Sequence, residues 1–99
     1  MAETFHKRLK AAIEREEDEL EDDEQLALVY YPPTGSVRVI AVGCAEPDLL
    51  VLYGIDQRGK ECTVAAHVSA VSLVIKREKI TEGGWRHTVG FVEFGDEKP

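Results

Sequence analysis

No apolar run in this 99-residue chain approaches the roughly 18 residues that a membrane-spanning helix needs. The opening MAETFHKRLKAAIE has no signal-peptide core and no small-residue cleavage site, so a cytoplasmic location is expected. Cysteine is scarce. Cys44 and Cys62 stand eighteen residues apart and form no CxxC pair, so both read as small buried apolar side chains, with a disulfide or redox role as the alternative. The three histidines, His6, His67 and His87, are too dispersed for a local metal-binding pattern and read as surface or half-buried polar groups. Thr63, Ser69, Ser72 and Thr81 flank His67, but no GxSxG elbow is present. The phosphate-cradling GxxxxGK[ST] loop is absent, and Gly83-Gly84-Trp85 reads as a turn. No catalytic residue, metal or cofactor is therefore assigned, and a non-enzyme is expected.

Positive charge is also short. Twelve Lys and Arg face nineteen Asp and Glu, for a net charge of −7 and a pI near 4.9. An acidic surface opposes phosphate binding. The excess is local, however. Residues 1–24 hold ten acids and four bases, whereas residues 25–99 hold nine and eight. The acidity belongs to a leader, and the body is nearly neutral.

A chain of this length forms one domain with a modest core, and its 43% apolar content argues against wholesale disorder. Small size also favours sharing buried surface with other copies. In the leader, Thr4 can cap a helix. Phe5, Leu9, Ala12 and Ile13 follow at spacings of three and four, a narrow apolar stripe. Glu14 to Glu24 then carries nine acids in eleven residues. Acids there oppose the helix dipole and repel one another, so the helix is expected to weaken between Glu17 and Asp22. The run reads as a solvated helix end and hinge, or as an electrostatic contact for a basic partner.

From Gln25 the pattern becomes that of strands. Strands are predicted at 25–31, 36–45, 48–56, 60–67 and 71–80, with turns at Pro32 to Gly35, Glu46-Pro47, Gln57 to Gly59 and Val68 to Ala70. A sixth is predicted over Trp85 to Phe94, after the TEGG turn, and the tail 95–99 reads as disordered. Val37, Val39 and Ala41 alternate with Ile40 and Val42, and Leu49, Val51, Tyr53 and Ile55 with Leu50 and Leu52. Both faces are apolar, as for a strongly curved sheet under a helix or at a subunit interface. The fold class is thus mostly β, arranged as an acidic helix and hinge (1–24), a β domain with a C-terminal hairpin (25–94) and a tail.

Basic residues gather near the last turn. Lys76, Arg77 and Lys79 close the fifth strand, and Arg86 and His87 lie beyond TEGG. A hairpin would bring them together. The cluster reads as a charged, soluble edge, or as a patch for phosphate or an acidic partner with Trp85 as a stacking group.

The segment from Leu26 to Lys76 resembles the Sm-like family of small RNA-associated barrels. The resemblance lies in the order of elements. It also lies in Thr34-Gly35 followed by VRVIAVG, in Asp48 leading LLVLYGID, and in TVAAHVSAVSLVIK from Thr63 to Lys76. It implies a short helix followed by a small, strongly bent, five-stranded antiparallel barrel, with the sixth strand as an addition. It further implies a ring of about five to seven copies, joined from the fourth strand of one to the fifth of the next. Where relatives carry a base-contacting asparagine this chain has Asp48, and His67 stands where the family's arginine would be. Asp48, His67, Lys76, Arg77, Lys79, Trp85 and Arg86 are the candidate binding residues. RNA is the expected partner of such a module. A basic protein held by the acidic helix, in an adaptor or inhibitor role, is the alternative, and purely structural assembly is a third.

Overall fold

The computed structural model describes residues 2–33, 35–81, 84 and 86–92. One helix, α1 (Ala2–Asp18), precedes five strands: β1 (Glu24–Tyr30), β2 (Val37–Glu46), β3 (Leu49–Asp56), β4 (Glu61–His67) and β5 (Leu73–Lys79). A two-residue strand, β6 (Gly90–Phe91), follows. The protein is mostly β with an N-terminal helix, as its patterning predicts.

The helix begins at Ala2, two residues ahead of the predicted cap at Thr4. Ala2 is fully buried, and its N–H donates to Pro47 O. At the other end the acids take effect. The Glu19 and Leu20 N–H groups reach back only three residues, to Glu16 O (3.1 Å) and Glu17 O (3.2 Å), tightening the last turn before the helix stops. Phe5, Leu9 and Ile13 pack against the sheet.

The strands form one sheet in the order β4-β3-β2-β1-β5, all neighbours antiparallel. β4 and β5 are its two edges and do not pair with each other, so the sheet is not closed. Strand alternation sorts the faces. Leu26 and Leu28 of β1, Val37, Val39, Val42 and Cys44 of β2, and Leu50 and Leu52 of β3 are buried with Ala2 and Ile13 in one core. The opposite face is mixed, with Ile40 and Val74 exposed and Tyr53 and Ile55 half-buried.

Two features shape the sheet. Irregularities in the β2–β3 register at Ile40 and Ala45 bend β2, because an extra residue on one strand turns it locally. Gly54 makes the close approach possible: a Cβ there would stand 2.4 Å from Arg38 O on β2. The β3–β4 turn is fixed locally as well. Asp56 Oδ1 accepts from the N–H groups of Arg58 (2.9 Å) and Lys60 (3.0 Å), and Gly59 takes a φ of 81° that side chains disfavour.

Among the described residues β5 and β6 do not pair as the predicted C-terminal hairpin. β5 pairs with β1 along its length, whereas β6 pairs in parallel with Ala41 and Val42 of β2. The reason lies in the bend. β1 pairs with only Val37 to Val39 of β2, so β2 beyond Ile40 is left with an open edge that β6 takes. The Val92 N–H extends this contact to Val42 O at 2.9 Å. The predicted tail 95–99, and residues 93 and 94 of the predicted sixth strand, lie outside the described residues.

Candidate functional site

The topology sends the candidate binding residues to three places. Asp48 and His67 are brought together. Leu49 and His67 are paired in the β3–β4 ladder, and the Val68 N–H donates to Asp48 O at 2.7 Å. The β2–β3 turn and the β4–β5 turn therefore lie side by side, next to the start of α1. His67 caps the short 3-10 helix Val68–Ala70: Nδ1 accepts from the Ser69 N–H at 3.2 Å and lies 2.8 Å from Ser69 Oγ. A ring nitrogen that accepts carries no proton, so the neutral ring bears its hydrogen on Nε2. Nε2 lies 4.0 Å from Asp48 Oδ2, and both side chains are more than half exposed. One ring N–H donor and one carboxylate acceptor thus face solvent together. That pair suits hydrogen bonding to a polar edge such as a nucleobase better than it suits a phosphate, which the carboxylate repels.

Arg77 and Lys79 occupy the far end of β5. Their side chains leave the core-side face and meet the acidic leader. Arg77 Nη2 contacts Glu16 Oε1 at 3.1 Å and Glu19 Oε1 at 3.2 Å, and Lys79 Nζ lies 3.0 Å from Asp23 Oδ2. The pairs act on protonation in the expected sense. Glu16, then Glu19, raise the Arg77 pKa, Asp23 raises that of Lys79, and Lys79 lowers that of Asp23. Arg86 is occupied differently. Its Nε donates to Glu24 O (2.9 Å) and its Nη2 to Glu21 O (2.7 Å), pinning the turn between α1 and β1.

Lys76 points to the opposite face, where Nζ sits 5.7 Å from the centre of the exposed Tyr31 ring, a cation–π distance. The basic residues expected to form one patch are therefore divided between two faces, because Lys76 and Arg77 are neighbours on a strand. Trp85 lies outside the described residues.

Three groups escaped sequence reasoning. His6 is 3% exposed, contrary to its reading as a surface or half-buried residue. Its Nε2 lies 3.1 Å from Val42 O, and its ring meets the Phe91 ring edge-on at 5.2 Å. The signal was available, since His6 lies four residues after Ala2 and seven before Ile13, on the buried side of α1. Glu78 takes the Arg38 guanidinium on both carboxylate oxygens and accepts from Gln25 Nε2 at 2.7 Å. Arg38 above all holds Glu78 below the usual carboxylate range. Nothing local in sequence links residues 25, 38 and 78. The cysteines are apart: Cys44 stands opposite Leu50 and Cys62 opposite Gly54, four residues along β3, or about 13 Å, too far for a disulfide. Both are free thiols.

Comparison of the chain with protein-family models, with curated proteins and with solved structures returns no match.

Proposed function

We propose that this chain is a non-catalytic, Sm-like binding module that assembles with copies of itself and contacts RNA at the Asp48–His67 end. The strand order carries the reading. In β4-β3-β2-β1-β5 the fourth and fifth strands are the two edges, each presenting backbone N–H and C=O groups that no other strand among the described residues pairs. A β4 edge on one copy and a β5 edge on the next make a head-to-tail contact, which closes into a ring when the rotation per copy divides the circle. The bend in β2 and the short 3-10 turn between β4 and β5 support a barrel-like curvature within each copy.

The convergence of Asp48 with His67 supports the RNA part. Both come from turns at one end of the sheet, so copies in a ring would present the pair repeatedly around one face. His67 supplies a donor, and its ring can stack on a base. Asp48 sets a charge that disfavours phosphate there. Binding of a labelled 20-nucleotide oligouridylate at low salt tests this. Asp48→Asn is expected to strengthen binding about threefold and His67→Ala to weaken it about tenfold. Identical affinity in the three proteins would remove the RNA contact from this end.

The adaptor reading keeps one observation in its favour. Glu14, Glu17 and Asp22 make none of the ion pairs described above, which leaves a negative surface on the leader for a basic protein.

A further inference from the structure

We infer that the carboxylates of Glu16, Glu19 and Asp23 occupy, within the same chain, an anion-binding site formed by Arg77 and Lys79. A phosphodiester chain would take their place, so the acidic leader works as an autoinhibitory latch. The inference rests on the RNA reading above and adds a second, regulated contact to it.

Arg77 and Lys79 stand two residues apart on an edge strand. Both side chains leave one face, about 6.6 Å apart along β5. That is of the order of the spacing between successive phosphates in an extended single strand. Two carboxylate oxygens converge on one guanidinium nitrogen at 3.1 and 3.2 Å, as two oxygens of a phosphate can. A third carboxylate covers the ammonium at 3.0 Å. The site is filled, but by groups that water reaches, since the paired side chains are 40 to 69% exposed. Ion pairs so exposed hold weakly and are screened by salt.

The acids are poorly placed for any other stabilising role. Glu16 lies in the last turn of α1 and Glu19 just past its end, where both oppose the helix dipole and repel their neighbours, whereas Asp23 lies in the turn before β1. Release of their side chains would not undo the fold. Arg86 holds the carbonyls of Glu21 and Glu24, the Ile80 N–H donates to Asp23 O at 2.7 Å, and Ile13 stays in the core. The latch therefore opens by side-chain rotation, leaving two cations on β5 free for phosphates.

The test uses the full chain and two probes, inorganic tripolyphosphate for the site itself and the 20-nucleotide oligouridylate for RNA. The variant Glu16→Gln/Glu19→Gln/Asp23→Asn is compared with wild type and with a control of equal charge, Glu14→Gln/Glu17→Gln/Asp22→Asn. Circular dichroism verifies that each is folded. The latch variant is expected to bind both probes about tenfold more tightly at low salt. Its slope of log affinity against log salt for RNA is expected to steepen by about 1.4, the value for two further phosphate contacts on a single strand. Adding Arg77→Ala/Lys79→Ala is expected to abolish the gain. A gain with tripolyphosphate but not with RNA upholds an anion site covered by the leader and overturns a phosphodiester chain as its ligand. Equal binding by wild type and latch variant, or an equal gain in the control, overturns the latch and leaves the Asp48–His67 reading untouched.

Discussion

His6 shows how a single residue can join elements that sequence keeps far apart. Its ring links α1 to Val42 on β2 and to Phe91 on β6, in a site closed to solvent. Truncation leaves a cavity and removes the ring's contact with the Val42 carbonyl. His6→Ala is expected to cost about 2–4 kcal/mol in denaturant unfolding. Gly54→Ala fails for the opposite reason. The added methyl meets backbone of the neighbouring strand, which cannot rotate away, and a loss of about 3 kcal/mol is expected in the same measurement. Glu78 gives the chain a pH dependence with a defined sign. Its carboxyl is held below its usual value of 4.5 by Arg38 and, less strongly, by Gln25. A depressed pKa contributes stability that is full above the unfolded value and is lost as pH falls through the folded one. The melting temperature of wild type is therefore expected to exceed that of Glu78→Gln at neutral pH, the gap closing as the solution is acidified below about pH 4.5. An equal gap at pH 7 and pH 3 would show that the pairing with Arg38 does not stabilise the fold.

At the scale of elements, the strands were legible because their alternation and turn residues are local. Val37, Val39, Leu50 and Leu52 stand out as strand residues by alternation, and Gln57 to Gly59 announces a turn. What was not legible depends on partners chosen across the chain. Gly90 and Phe91 follow β5 closely in sequence, so a hairpin was the natural expectation. The bend at Ile40, however, frees an edge of β2 forty-nine residues before Phe91, and no local pattern records that vacancy. The acidic leader was legible as a helix with a weakened end. Its attachment was not, because an excess of like charge reads as solvated until opposite charge is placed beside it. The structure puts Arg77 and Lys79 there. α1 is also part of the core, through Ala2 and Ile13. Its charges are accordingly best tested by substitution, since deletion would open the core. Ile13→Ala is expected to destabilise by about 2–4 kcal/mol, whereas the charge-neutral variants at its C-terminal end are expected to unfold at nearly the wild-type denaturant concentration.

Among the described residues the sheet has two unpaired edges, and that is a property few small proteins leave unmanaged. β5 carries Lys76, Arg77 and Lys79, charges of the kind that discourage indiscriminate pairing, but it also presents the exposed Val74. Sequence legibility ends at this scale. The two-sided apolar pattern of β2 and β3 pointed to a second covering, yet pattern alone does not distinguish a helix from another copy. The structure divides the two faces: α1 covers the core side, and the other side keeps Ile40 exposed and Tyr53 and Ile55 half-covered. If copies join through β5, placing a charge beside its apolar contact should prevent them from doing so without harming the isolated fold. Val74→Lys is expected to lower the assembled mass and to leave the circular dichroism spectrum unchanged. Assembly through the β4 and β5 edges is read out by the solution mass of the full chain in light scattering. A particle of about five to seven times the chain mass of 11.0 kDa is expected, independent of concentration across the micromolar range. A particle of one chain mass over that range would contradict it.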